Sequence, residues 1–215
     1  MITGTEKYYQ AWAPEYDQVY ERPARQADLA RLRAWLPPVL NGRRVLEVAA
    51  GTGYWTAVYA ERAACALATD ASAETLNVAK ARRAWPATVG FAQVNAFELA
   101  SVTGAFDAAF AGFFWSHIPL GLLDGFLAGL ASRLDRPATL VFIDNRYVHG
   151  SNHPLIRSDA DGNTYEQRKL ADGSTWEVIK NFPAPGEIAA RLDGLGQVTI
   201  TELRHYWTAV CTLRH

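Results

Sequence analysis

Short apolar runs alternate with amphipathic stretches along the first two thirds of the chain. Runs at 45–48, 65–69, 89–94, 106–111 and 139–143 are too short for helices and rich in aliphatic residues, so each predicts a buried strand. Residues 54–63, 73–85 and 120–134 predict intervening helices. Ser72 is placed to cap the second, with Glu74 in its first turn. The third is apolar nearly all round, as suits a helix pressed on a sheet. Pro86 and Pro137 punctuate the pattern. This alternation predicts an α/β fold, with a mostly parallel sheet, helices on both faces and right-handed crossovers.

Both ends depart from the alternation. In residues 1–22, Tyr9, Trp12, Tyr16 and Tyr20 recur at spacings of three or four and share one face of an interrupted helix that Pro14 breaks or turns. That face either packs on the main body or covers a ligand, and one element can do both. A second helix opens at Pro23 and carries Leu29, Leu32 and Leu36 inward until Pro37-Pro38 stops it. Together, residues 1–38 read as an N-terminal helical cap. Residues 148–161 read as a polar loop. Two alternating runs around Asp172-Gly173 then predict a hairpin over 163–182 with neither face cleanly apolar, hence a rim element. The 148–182 segment is the second candidate cap. A helix over 183–195 and an antiparallel pair, 198–203 and 207–213, close the chain.

The chain has 215 residues, which suits one domain. Its formal charge of −1 argues against bulk nucleic-acid binding. There is no run of 18 apolar residues and no signal-peptide pattern, so the expectation is a cytoplasmic protein, monomer or homodimer, without a membrane or nucleic-acid partner. Cys65 and Cys211 sit in apolar runs and read as reduced core thiols. No set of Asp, His and Asn residues has convincing zinc spacing, so no metal is expected.

The chemistry gathers around VLEVAAGTGYWT, residues 45–56. Here a strand enters a small-residue turn in which Gly51 and Gly53 permit left-handed backbone and close approach of a ligand. Asp70 ends the next strand, about 20 residues after the turn, where an acid can accept hydrogen bonds from both ribose hydroxyls. The full GxGxxG pattern is missing, because Thr56 stands where the third glycine would fall. Glu47 lies inside the strand. Both features favour a nucleoside without phosphates over a dinucleotide.

These residues, with Ala68-Thr69-Asp70-Ala71-Ser72, Val94-Asn95-Ala96-Phe97 and the segment after Gly112, resemble the class I S-adenosylmethionine-dependent methyltransferases over residues 40–145. Ala49 replaces the first glycine of that family's motif. The resemblance implies a Rossmann-like sheet, mostly parallel with an antiparallel C-terminal strand, and S-adenosylmethionine as cofactor. It implies that Ala49, Gly51 and Gly53 approach the methionine part, that Glu47 orients the loop or reaches the amino group through water, and that Asp70 binds the ribose. Ala71, Asn95, Ala96 and Phe97 would flank adenine, with Asn95 standing where the family often has aspartate. Gly112 and Phe113 would lie beneath the sulfonium, and Tyr8 and Tyr16 would contribute from the cap.

An acceptor belongs beyond the fourth and fifth strands. His117 is the candidate base or substrate contact, with Asp144 and Asn145 as further catalytic candidates. Trp115, Tyr147, Tyr165, Arg168 and Trp176 are placed to enclose a small molecule, and Arg168 suits an acidic group. The family's NPPY motif is absent, since the chain reads AGFF there. The expected reaction is methyl transfer to a small molecule, with nitrogen slightly preferred. O-methylation with His117 as base and a non-catalytic nucleoside-binding regulator are the alternatives.

Overall fold

The structure, a computed structural model, describes Thr5, Tyr8, Tyr9 and residues 12–214. The remaining residues of the expected N-terminal cap lie outside the described residues. Ten strands are present among the described residues: β1 (Arg44–Val48), β2 (Cys65–Asp70), β3 (Val89–Gln93), β4 (Phe106–Gly112), β5 (Leu134–Asn145), β6 (Leu155–Ser158), β7 (Thr164–Lys169), β8 (Thr175–Ile179), β9 (Gly196–Glu202) and β10 (Tyr206–Leu213). The α-helices are α1 (Gln26–Val39), α2 (Tyr54–Tyr59), α3 (Ala73–Ala81), α4 (Leu123–Ala131) and α5 (Pro185–Asp193).

Seven strands form one sheet in the order β3-β2-β1-β4-β5-β10-β9. The first five run parallel, and β10 runs against both of its neighbours. Strand order reverses between β1 and β4, which opens a crevice at their carboxyl ends. Successive side chains point to opposite faces, so the two cores read off alternate positions. Leu46, Ala109, Leu140 and Phe142 pack with Phe126, Leu130, Ile188 and Leu192 of α4 and α5. Val45, Phe110, Val141 and Ile143 pack with Leu29, Leu32, Leu36, Trp55 and Tyr59 of α1 and α2.

Several boundaries differ from the sequence reading. The 120–134 helix is a short 3-10 turn followed by α4, and Leu134 already belongs to β5. Pro137 lies inside β5, where the β4–β5 register jumps from Phe106↔Leu134 to Ala108↔Thr139. A residue without an N–H is tolerated in a strand at such an irregularity. Helix α1 runs through Pro37 and Pro38 to Val39, and Leu40 N–H donates to Leu36 O at 3.2 Å. Proline's fixed φ suits the helical region, so the lost donors weaken that turn without ending it. Helix α3 stops at Ala81, well before Trp85, whose indole N–H donates to Ala79 O at 3.0 Å. The expected loop at 148–161 contains β6, which pairs with β7 and turns the hairpin into a three-stranded sheet.

Two features of β1 and its turn carry a cost. Glu47 is buried and points at α2, where Thr56 Oγ1 and Tyr59 Oη donate to its Oε2 at 2.6 and 2.7 Å. Burial outweighs those bonds and lifts its pKa from the ordinary 4.5 to about 7. Ala49 has φ of 51°, in the left-handed region where a Cβ crowds the backbone.

Two outcomes follow. Between pH 4.5 and 7 the folded state holds the Glu47 proton and the unfolded state does not, so stability falls as pH rises, by about 3 kcal/mol across the window. Denaturant titrations should show this slope reduced in Glu47→Gln. At the turn, Ala49→Val should lose about 2 kcal/mol, because a β-branched residue fits this φ worst, while Ala49→Gly should lose nothing. Equal losses would remove the backbone explanation.

Candidate functional site

The crevice at the carboxyl ends of β1, β2, β3 and β4 holds a cavity of about 230 Å³. Asp70 organises its floor. The Gly51 N–H donates to Asp70 Oδ2 and the Ser72 N–H to Oδ1, each at 2.9 Å. One carboxylate thus ties the turn after β1 to the turn after β2. Gly51 has φ of 57°, and a Cβ there would meet nothing within 4 Å, so the backbone is open to the cavity. Ser72 Oγ accepts the Thr75 N–H at 3.0 Å and starts α3, and both residues also line the cavity.

Beyond Asp70 the walls become apolar: Ala71, Val94, Ala96 and Phe97 surround Asn95. Asn95 Oδ1 already accepts the Phe97 N–H at 3.0 Å. The opposite wall is Ala49, Gly112, Phe113 and Phe114. Phe113 has φ of 61°, a strained conformation for a bulky residue. It is held by its N–H to Ile143 O at 2.7 Å and by stacking on Trp55.

The N-terminal segment closes the top. Tyr9, Tyr16 and Thr5 line the cavity. Tyr20 stacks on Tyr54 at 3.9 Å and accepts the Trp55 indole N–H at 3.1 Å. Asp17 pairs with Arg82 and accepts Thr52 Oγ1–H at 2.6 Å, which fastens the segment to the glycine turn. Burial pushes the Tyr16 phenol up to about 12 and raises that of Tyr9 well above its ordinary value, so both hydroxyls keep their protons near neutrality.

A second, smaller cavity of about 60 Å³ adjoins the first, and Tyr9, Tyr16, Phe113 and His117 line both. Its other walls bring in Arg22, Arg25, Asn145, His153, Arg168, Lys180 and Tyr206. Lys180 pairs with buried Asp144 at 3.7 Å, and Arg168 with buried Glu166 at 2.5 Å. Arg25 donates to Asn145 Oδ1 at 3.1 Å and to Ser151, and Arg22 donates to Ser151 O. Four cations face two carboxylates, so positive charge is in excess.

His117 is buried between these groups. Its Nδ1 lies 2.8 Å from Ile179 O; its Nε2 lies 2.9 Å from Tyr9 Oη and 3.2 Å from Lys180 Nζ. Burial, with the Lys180 ammonium second, holds its pKa well below the usual 6.5. Asp144 accepts from Ser116 N–H and Oγ–H, each at 2.8 Å, and from Asn145.

Of the residues singled out from sequence, Tyr16, Ala49, Gly51, Asp70, Ala71, Asn95, Ala96, Phe97, Gly112, Phe113 and His117 share the larger cavity. Tyr8, Glu47, Gly53 and Asp144 line neither cavity, and Asn145 lines only the smaller one. Glu47 faces α2. Gly53 faces α3, where a Cβ would sit 3.1 Å from Ala79 Cβ and 3.3 Å from the Trp85 ring. Asp144 is turned into the Ser116–Lys180 network. Tyr9, Arg22, Arg25 and Lys180 were not singled out as site residues. For Tyr9 the signal was present in its seven-residue spacing from Tyr16. Among the described residues, no three His, Cys, Asp or Glu side chains group to hold a metal, and no helix is long and apolar enough to cross a membrane.

Comparison with known proteins agrees with this geometry. A family model described as a methyltransferase domain matches residues 45–136. No curated protein sequence matches the chain. The solved complex of DhpI with SAH is 29% identical, covers 99% of this chain and 97% of its own, and has a TM-score of 0.76. DhpI with SAM and HEP is also 29% identical, covers 98% and 97%, and has a TM-score of 0.77. A S-adenosylmethionine-dependent methyltransferase from Clostridium acetobutylicum is 16% identical over 94% of this chain and 99% of its own, with a TM-score of 0.65, a likeness of fold. Fold, central family match and end-to-end likeness to DhpI converge: the chain has the class I S-adenosylmethionine-dependent methyltransferase fold, with a methyltransferase domain matched over residues 45–136.

Proposed function

We propose that the chain methylates an oxygen of a small acidic molecule held in the smaller cavity, with S-adenosylmethionine in the larger one. The observation that carries this reading is the junction: two cavities share Tyr9, Tyr16, Phe113 and His117 as a common wall, and the second has an excess of cations.

The larger cavity suits the donor. Asp70 can accept ribose hydroxyls while it holds the loop, since a carboxylate offers about four lone-pair sites. Ala71, Val94, Ala96 and Phe97 offer apolar surface to a flat base, and Ala49, Gly51 and Gly112 leave room for the amino-acid end. Bound there, S-adenosylmethionine supplies an electrophilic methyl group whose departure leaves a neutral thioether, S-adenosylhomocysteine.

The chain's own groups then have two tasks, to align the acceptor and to exclude water. Arg22, Arg25, Arg168 and Lys180 favour an anion and disfavour a protonated amine. This charge is the reason to prefer oxygen here, where the sequence alone preferred nitrogen. An ionised acid brings its own nucleophilic oxygen, so no general base is required. His117 suits that role poorly, because its Nε2 already faces Tyr9 and Lys180. DhpI has been solved with SAM and HEP together, and the two adjoining cavities give this chain room for a donor and an acceptor at once.

Three results are expected. A labelled-methyl screen over carboxylic acids, phosphonic acids and amines of equal size should return methyl esters; label on amines alone would refute the assignment. Calorimetry should find S-adenosylhomocysteine bound roughly 10- to 100-fold more weakly by Asp70→Ala, from the loss of charge-assisted hydrogen bonds. With an acid acceptor, kcat should stay level from pH 6 to 8, because the depressed pKa keeps His117 neutral throughout; a fall on the acid side near pH 6.5 would identify a titrating base.

A further inference from the structure

We infer that Lys180 is the side chain that contacts the acceptor's anionic group, and that Tyr9 frees it to do so by taking the one lone pair of His117. The inference rests on the reading that the smaller cavity receives the acceptor.

Hydrogen-bond direction decides the roles. The Ile179 carbonyl can only accept, so His117 Nδ1 carries the proton. A second proton on Nε2 would set an imidazolium N–H 3.2 Å from the Lys180 ammonium, and like charges exclude that. Nε2 is therefore bare and presents a single lone pair. Two donors approach it: Tyr9 Oη–H at 2.9 Å and Lys180 Nζ–H at 3.2 Å. The phenol is the nearer.

Lys180 has three N–H groups. One donates to Ser116 Oγ at 2.6 Å, which accepts because its own proton goes to Asp144. Asp144 Oδ1 attracts the ammonium from 3.7 Å, beyond hydrogen-bond length. The N–H aimed at His117 competes with Tyr9 for the same lone pair. Lys180 is only 3% exposed and lines the smaller cavity, so the missing acceptor must come from whatever occupies that cavity. The site thus has more donors than acceptors, and the surplus hydrogens belong to a cation at the wall of the cavity. An anion placed there supplies the missing acceptor. Tyr9 comes from the N-terminal segment and Lys180 directly follows β8, so both must be in place before the acceptor is held fully.

The test uses the full chain loaded with S-adenosylhomocysteine, titrated with acetate and with inorganic phosphate in a calorimeter. Wild type is expected to bind at least one of these probes. Lys180→Met should weaken that binding at least 10-fold. Tyr9→Phe, which removes one oxygen and keeps the ring, should weaken it 3- to 10-fold by returning Lys180 to His117. The double variant should bind no more weakly than Lys180→Met alone, and the S-adenosylhomocysteine affinity of Lys180→Met, whose side chain lines only the smaller cavity, should stay within 3-fold of wild type. If Lys180→Met fails to fold with Asp144 unpaired, Lys180→Met/Asp144→Asn replaces it, and Tyr9→Phe tests the competition by itself. Wild-type anion affinity in the Lys180 variant would overturn the inference and leave the acidic acceptor standing. Independent, multiplicative losses in the double variant would also overturn it. Normal S-adenosylhomocysteine binding with neither probe bound by wild type would overturn both readings.

Discussion

A carboxylate at the tip of β2 accepts one N–H from the turn after β1 and another from its own following turn. Without Asp70 in that position, two adjacent strand ends would carry independent loops. With it, the glycine turn is held open over the crevice where strand order reverses, and a ligand meets backbone already in place. The strained Ala49 and Phe113 conformations belong to the same arrangement, since both line the cavity and both depend on surrounding packing to persist. Even the N-terminal segment is built onto this turn, through Asp17, Thr52 and Arg82.

The second cavity depends on a different balance. Its cations come from three separated parts of the chain: Arg22 and Arg25 before α1, Arg168 on β7 and Lys180 after β8. Burying them together is unfavourable unless counter-charges are supplied. Asp144 and Glu166 supply two and leave a surplus. A bound acid would complete the neutralisation, which links the affinity of the site for an anion to the electrostatic cost of assembling it. His117 is fixed by Ile179 O and accepts a hydrogen bond from Tyr9 within the same network.

Much of the fold was legible because it rests on local signals. Apolar runs of strand length gave the parallel sheet, and Ser72 gave the start of α3. The place of Asp70 at the crevice was legible because its distance from the glycine turn follows from one strand–helix–strand repeat. What was missed depends on contacts between distant segments. Glu47 resembles a ligand group in sequence, yet its strand phase turns it toward Thr56 and Tyr59. Gly53 reads as ligand-facing until α3 is seen packed against it. Asp144 ends a strand at the crevice but is consumed by Ser116, Asn145 and Lys180. The hairpin was legible as a rim, but nothing in an alternating polar run announces that Lys180 will reach His117. Tyr9 is the exception: its spacing from Trp12 and Tyr16 placed it on their face, and Tyr8 was named in its stead.

The most direct test of the whole arrangement is a crystal structure of the protein with S-adenosylhomocysteine. The account predicts ribose hydroxyls on the Asp70 carboxylate, the base among Ala71, Val94, Ala96 and Phe97, and the sulfur facing the wall that Tyr9, Tyr16, Phe113 and His117 share with the cationic cavity. A nucleoside seated away from Asp70, or a sulfur directed away from that wall, would contradict it.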